Sequence, residues 1–480
     1  MEHSRLAHLT ALGIAGFSLA SAPGIAGGPR AMPNMAAFPN ASGVAATYST
    51  KGKIDLANPF FQVLGTNGRS CATCHAPSDG WTVTPSGVRA RFDATAGTDP
   101  IFRTNDGSVS PHADVSTLEA RLVAYDMLLR KGLIRVGIGI PANAEFELVA
   151  VDDPYGYASA AQLSLFRRPL ASTNLAFLST VMYDGRETFQ DAASHDCILG
   201  TSNCFAPIHF DLADQANGAT TGHAQAAQQL TPEQNEAIVD FESGLYTAQV
   251  FDDAAGNLTA RHALGGPVHL SQSPFHFGIN DVVSGDYASG APFDPNVFKL
   301  YSNWNEVGHH APDPGESMDR SVARASVARG EALFDSKPIT ITGVGGLNDA
   351  LNAPVIQGTC STCHDTPNAG SHSIPAPLDI GIADATRRTP DMPLYTLRHK
   401  TAPFEIVETT DPGRALISGH WKDIGRFKGP TLRALATRAP YFHNGSAADI
   451  AAVVDFYDQR FGIDFTAQEK QDLVAFLRTL

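Results

Sequence analysis

Cys71-Ala-Thr-Cys74-His75 and Cys360-Ser-Thr-Cys363-His364 decide how this chain is read. Each is a C-x-x-C-H run, the spacing at which haem c is attached. The two thiols add across the haem vinyl groups, and the adjacent histidine is held under the iron as proximal ligand. A C-x-x-C pair is also half of a zinc site, or of a thioredoxin-like redox motif. Zinc would draw four ligands from two nearby pairs, and these pairs stand in opposite halves of a 480-residue chain. A histidine follows the second cysteine both times, which the redox motif does not require. The reading is therefore two covalent haems, held by Cys71, Cys74, Cys360 and Cys363, with His75 and His364 as iron ligands. Electron transfer or haem redox chemistry follows from that.

The N-terminus agrees with an exported, haem-carrying protein. Arg5 lies in a short polar start, residues 9–22 are apolar, and small residues run to Gly24-Ile25-Ala26. This pattern reads as a secretory signal peptide, residues 1–26, and places the mature protein in the periplasm. The apolar run is short for a membrane span, and residues 133–151 are interrupted by Arg135, Pro141, Glu145 and Glu147. No membrane span is expected in the mature chain. Cys197 and Cys204 remain, and in an oxidising compartment they are expected to pair. A net charge of −15 argues against nucleic acid as a partner. It suits a basic electron donor such as a small cationic cytochrome, and equally an ordinary acidic secreted surface.

Most of the chain reads as helices separated by long Gly/Pro loops. Ser116-Thr-Leu-Glu119 reads as a capping box opening a helix to about Gly132, with Leu118, Leu122, Tyr125, Leu128 and Leu129 on one face. Residues 134–151 alternate as a small β-hairpin. Two later helices repeat each other. From Thr231-Pro-Glu-Gln, Ile238, Val239, Phe241 and Leu245 match Leu473, Val474, Phe476 and Leu480 counted from Thr466-Ala-Gln-Glu. The expected fold class is mainly α: two class-I cytochrome c-like haem domains with long loops and a hairpin insertion. The domains are 40–250 and 320–480, joined by a Gly-, Pro-, Asp- and His-rich segment, 251–319.

Phe427-Lys-Gly-Pro430-Thr-Leu-Arg433, followed by Ala439-Pro440-Tyr-Phe-His443-Asn-Gly445, resembles the signature of the dihaem cytochrome c peroxidase family, to which MauG also belongs. Asn174-Leu-Ala-Phe177 and Tyr183-Asp-Gly-Arg186 are the matching elements of the first unit. The resemblance implies that H2O2 meets the His75 haem and that the His364 haem relays electrons. The electron donor would be a small cytochrome, a cupredoxin or a protein substrate. It also implies that the position fourteen residues after His443, Tyr457, supplies the sixth ligand of the second iron. Family members carry Met or Tyr there. A tyrosinate favours ferric and higher states, as in MauG-like members, whereas Met raises the potential. The alternative is a packed tyrosine beside a five-coordinate haem.

Other positions depart from the family pattern. Tyr183 replaces the usual interhaem Trp, and is either a radical relay or a packed, hydrogen-bonded side chain. Gln215 corresponds to the distal Gln of the peroxidatic haem. Gln225 stands where a proton-moving Glu is usual, with His223 beside it as the other candidate. Arg168 falls where an Asn side chain binds calcium, which makes calcium doubtful, and His112 reads as a surface residue. Trp81 is expected beside the first haem, and Trp421 reads as core or as an electron exit. The leading function is a periplasmic peroxidase-type oxidoreductase. A dihaem electron-transfer cytochrome and an O2-using dihaem oxygenase are the alternatives.

Overall fold

The computed structural model describes residues 30–188, 208–305 and 317–480. The signal-peptide stretch 1–26 and the pair Cys197 and Cys204 lie outside the described residues. Helix accounts for 31% of the structure and strand for 19%, so the mainly-α expectation holds only in part. The strands form several small sheets. The largest runs Ala36–Asn40, Gly43–Ser49, Leu245–Asp252, Gly256–Asn257 in spatial order.

The expected hairpin over 134–151 is not formed. Ile134–Ile138 pairs antiparallel with Leu163–Arg167, and Phe146–Asp152 pairs with Leu394–His399 from the last third of the chain. Period-two alternation marks a strand but does not name its partner. Between the two strands the chain turns away, with the Ile140 amide donating to Ala160 and the Glu145 amide to Gly419. Phe146 then buries against Tyr395 and Leu397. The Tyr395 hydroxyl ties the two sheets together, donating to the Ser164 carbonyl (2.7 Å) and accepting from its amide (2.9 Å).

The helix expected from Ser116 to Gly132 is two helices, Leu118–Ala124 and Asp126–Lys131. Thr117, not Ser116, caps the first. The break comes at Tyr125, because the Ala124 carbonyl accepts from the Val109 amide at 2.8 Å instead of continuing the helix. Leu118 and Leu122 are consequently exposed, while Tyr125, Leu128 and Leu129 are buried.

The internal repeat is realised in detail. Thr231 and Thr466 both form reciprocal capping boxes, with Gln234 and Glu469. Ile238, Val239, Phe241 and Leu245 are buried, as are Leu473, Phe476 and Leu480. The Leu245 carbonyl accepts from the Asn174 amide (2.9 Å), and the Leu480 carbonyl from the Ala434 amide (2.8 Å). Asn174 and Ala434 both have positive φ and each opens a short helical turn, Leu175–Phe177 and Leu435–Thr437. The second core packs Met318–Ser336 against Ala467–Leu477. Within 251–319, Ala255, Leu258 and Val297 to Trp304 join that core. No helix among the described residues is long and apolar enough to cross a membrane.

Candidate functional site

Both C-x-x-C-H runs fold into the same short helical turn. Ser70 and Thr73 form a reciprocal cap over Cys71–Thr73, and Thr359 and Thr362 do the same over Cys360–Thr362. The small hydroxyl residues inside and just before the motifs thus fix the loop that presents two thiols and a histidine together. His75 Nδ1 faces the Trp81 carbonyl at 3.1 Å, and His364 Nδ1 faces the Gly370 carbonyl at 2.8 Å. A ring that donates through Nδ1 keeps its Nε2 lone pair free, which is the tautomer a metal-bound histidine uses. Burial pushes both imidazoles down, towards the neutral form that ligation requires. Trp81 itself is fully buried among Phe60, Phe61 and Phe241, with Nε1 donating to Thr47 at 2.8 Å.

A largely apolar cavity opens from the second motif. Cys360, Cys363, His364 and Tyr457 all line it. Tyr457 is placed there by the helix Ile450–Phe461, capped by Asp449. Burial, and then the nearby thiols of Cys363 and Cys360, push its phenol well above the usual range. Its hydroxyl has no hydrogen-bond partner among the described residues. The half-buried phenol lines the cavity and is free to meet a bound cation there.

The cavity continues to the boundary between the two repeats, where matching turns of each meet. Tyr183 and His443 occupy equivalent positions, each between a positive-φ residue (Met182, Phe442) and a positive-φ glycine (Gly185, Gly445) two residues on. Their rings meet edge to face at 6.1 Å. The Lys428 amide donates to the Tyr183 carbonyl and the Arg168 amide to the His443 carbonyl, both at 2.7 Å. Phe427 stacks on His443 at 4.0 Å, and burial pushes that imidazole down to about 4.

The same wall carries cations without anions. Lys428, Arg168 and Arg438 line the cavity. The Lys428 ammonium has no hydrogen-bond partner among the described residues, and burial, with the Arg438 charge, pushes it down to about 7. Arg438 reaches only the carbonyls of Thr431 and Arg433, and its Nε is buried without a partner. Buried charges need counter-charges. An apolar cavity lined by two thiols, a histidine and a tyrosine, with cations lacking a carboxylate partner on its wall, fits haem c, whose body is apolar and whose propionates are anionic. Arg168 shows why calcium is not expected at its position. Its guanidinium donates to the carbonyls of Lys131 (2.7 Å), Val83 (2.7 Å) and Arg438 (3.1 Å), so an internal cation already occupies a carbonyl cradle.

The expected distal residues of the first site sit on or just beyond the helix Ile208–Gly222. Gln215 is half-buried on it. Gln225 is exposed, with positive φ, and its amide oxygen accepts from Asn67 at 3.3 Å. His223 is bonded through Nδ1 to Asp106. Reading the motifs does not find Asp106, because no spacing rule links it to them. His112 is exposed, its ring against Tyr157. Trp421 packs by Phe146 and His399 and is not part of the cavity wall.

No family model matches the chain. Among curated proteins, it is 30% identical over 181 residues to cytochrome-c peroxidase IdrP1 of Pseudomonas sp. (strain SCT), covering 34% of this chain and 41% of that protein. It is 29% identical over 145 residues to cytochrome c551 peroxidase of Nitrosomonas europaea, covering 28% and 36%. The matched segments thus span less than half the length of these relatives. A solved MauG-like protein associated with microbial copper homeostasis aligns over 88% of both chains, at 14% identity and a TM-score of 0.36, too weak a likeness to define the fold. Over the matched segments, the chain is thus similar to bacterial cytochrome-c peroxidases.

Proposed function

We propose that this protein is a periplasmic oxidoreductase of the peroxidase/MauG type, with two covalent haems of unequal role. The observation that carries this reading is that His364, Cys360, Cys363 and Tyr457 line one largely apolar cavity. Cys71 and Cys74, and Cys360 and Cys363, would hold the haems, with His75 and His364 beneath them. Bound haem c supplies the redox chemistry. The chain's own residues supply the rest. The carbonyls of Trp81 and Gly370 orient the imidazoles. Lys428 and Arg438 would neutralise propionates. Tyr457 would close the second site to exogenous ligands and leave the first as the site where H2O2 reacts. Tyr183 and His443, in ring contact where the repeats meet, form a compact path between the two sites. The donor would be a small cytochrome, a cupredoxin or a protein substrate.

Adding H2O2 to the pure diferric protein while following the Soret band tests this reading. A shift within seconds, reversed by an added donor, is expected. A band unchanged over minutes, with no donor oxidised, would contradict it.

A further inference from the structure

His223 stands just past the end of the helix Ile208–Gly222, and its charge adds to the burial that pushes the His75 imidazole down. Its Nδ1 lies 2.6 Å from Asp106 Oδ2. The other oxygen of that carboxylate accepts from Arg69 at 2.5 Å. Arg69 is held in its turn, donating to the carbonyls of Pro100 (2.8 Å), Ile101 (2.7 Å) and His223 (3.2 Å). The Asn67 amide also donates to the His223 carbonyl at 2.8 Å. The side chains of Arg69 and Asp106 are only 3% and 7% exposed, whereas the His223 ring is 42% exposed. A buried ion pair therefore clamps one edge of the imidazole and leaves the Nε2 edge open. Arg69 is two residues from Cys71, so the clamp is anchored to the first haem-attachment turn itself.

We propose that Asp106, braced by Arg69, is a positioning residue that holds His223 with Nδ1–H donated and Nε2 free to carry protons in the peroxide pocket of the first haem. The proposal rests on the peroxidase reading above. H2O2 gives up one proton as it binds, and its far oxygen must gain one to leave as water when the O–O bond breaks. A single base that takes the first proton and returns it closes the proton balance without solvent. The two electrons that the cleavage requires would be supplied by the two bound haems. The Gln225 amide cannot carry a proton in this way, and an imidazole can. The Asp106 carboxylate keeps the ring in one tautomer and orientation, as the aspartate does in a Ser-His-Asp array. The charged groups around His223 are Asp106, Arg69 and His75, with Arg103 bonded to the neighbouring Asn67 carbonyl. Glu187 serves as the control, a carboxyl that burial, and then Asp214, push up to about 8.

The test is stopped-flow mixing of the diferric protein with H2O2 across pH, for the wild type and for His223→Phe, Asp106→Asn, Asp106→Glu and Glu187→Gln. Electron paramagnetic resonance of each resting protein accompanies it. The expected result is a loss of about 100-fold in the Soret rate for His223→Phe, the scale of one general acid–base group. Asp106→Asn should lose about tenfold and displace the pH profile, because an amide does not stabilise imidazolium. Asp106→Glu should restore both, and the spin state of the first haem should be unchanged throughout. Rates unaffected by His223→Phe or Asp106→Asn would overturn the proposal. So would loss confined to Glu187→Gln, or a first haem that turns from low-spin to high-spin in His223→Phe, which would make His223 a ligand. A wild type inert to H2O2 removes the peroxidase reading and this proposal together. A reactive wild type with indifferent variants removes this proposal alone.

Discussion

His75 and His364 lie far apart in the sequence, yet each is aimed by the same device: a Ser/Thr-capped turn and a backbone carbonyl on Nδ1. That much is legible in the sequence, because the turn is local and its spacing is fixed by covalent geometry. What separates the two sites comes from further away. Tyr457 reaches the second cavity from a helix near the C-terminus, and Asp106 meets His223 from 117 residues away in the sequence. The offset from His443 makes Tyr457 findable. Nothing local marks Asp106, whose role is set by packing alone. Replacing Tyr457 with Phe should turn the second haem from low-spin to high-spin or water-ligated, and should raise its reduction potential, since a hard anionic donor is lost. Unaltered visible and paramagnetic resonance spectra would remove Tyr457 from the coordination sphere.

At the scale of elements, the helices Met318–Ser336 and Ala467–Leu477 touch backbone to backbone at Gly330. A Cβ there would lie 2.0 Å from the Asp472 carbonyl oxygen and 2.7 Å from the Phe476 Cβ. Gly330→Ala should therefore cost about 3 kcal/mol, the upper part of the usual overpacking range, and should lower the yield of protein with the second haem attached. Thermal unfolding and the haem-to-protein absorbance ratio report the two effects, and wild-type values in both would show that the helices part freely. The repeated capping boxes at Thr231 and Thr466 are readable because a cap is a four-residue pattern. Strand partners are not. Phe146–Asp152 looks like half of a local hairpin, and its apolar alternation is satisfied equally well by Leu394–His399. The Tyr125 break is hidden for a similar reason, since the competing donor, Val109, belongs to another segment.

Over the whole molecule, buried charge ties the repeats together. Arg167 pairs with Asp184 (2.5 Å) and with Asp411 (2.7 Å), so one guanidinium joins carboxylates from both halves. Arg168 likewise gathers carbonyls from three segments. Arg168→Asn should lower the melting temperature and leave three oxygens converging on one point. Added Ca²⁺ should then raise the melting temperature of the variant and not of the wild type. A variant indifferent to Ca²⁺ would show that the cradle collapses without its guanidinium. Glu242 adds a pH dependence. Burial alone raises its carboxyl from 4.5 to about 8. The folded protein keeps this proton to a higher pH than the unfolded chain does. Its contribution is therefore full below about pH 4.5 and is lost as pH rises towards 8, on the order of a few kcal/mol. Glu242→Gln should flatten the fall in melting temperature over that interval, and an unchanged slope would mean that the carboxylate is solvated in the folded state.

The unequal pair is the centre of the account, and electron paramagnetic resonance of the diferric protein, before and after one equivalent of H2O2, tests it most directly. One high-spin and one low-spin ferric haem per chain are expected, both signals diminishing together on peroxide addition. Two low-spin haems that ignore peroxide would contradict it.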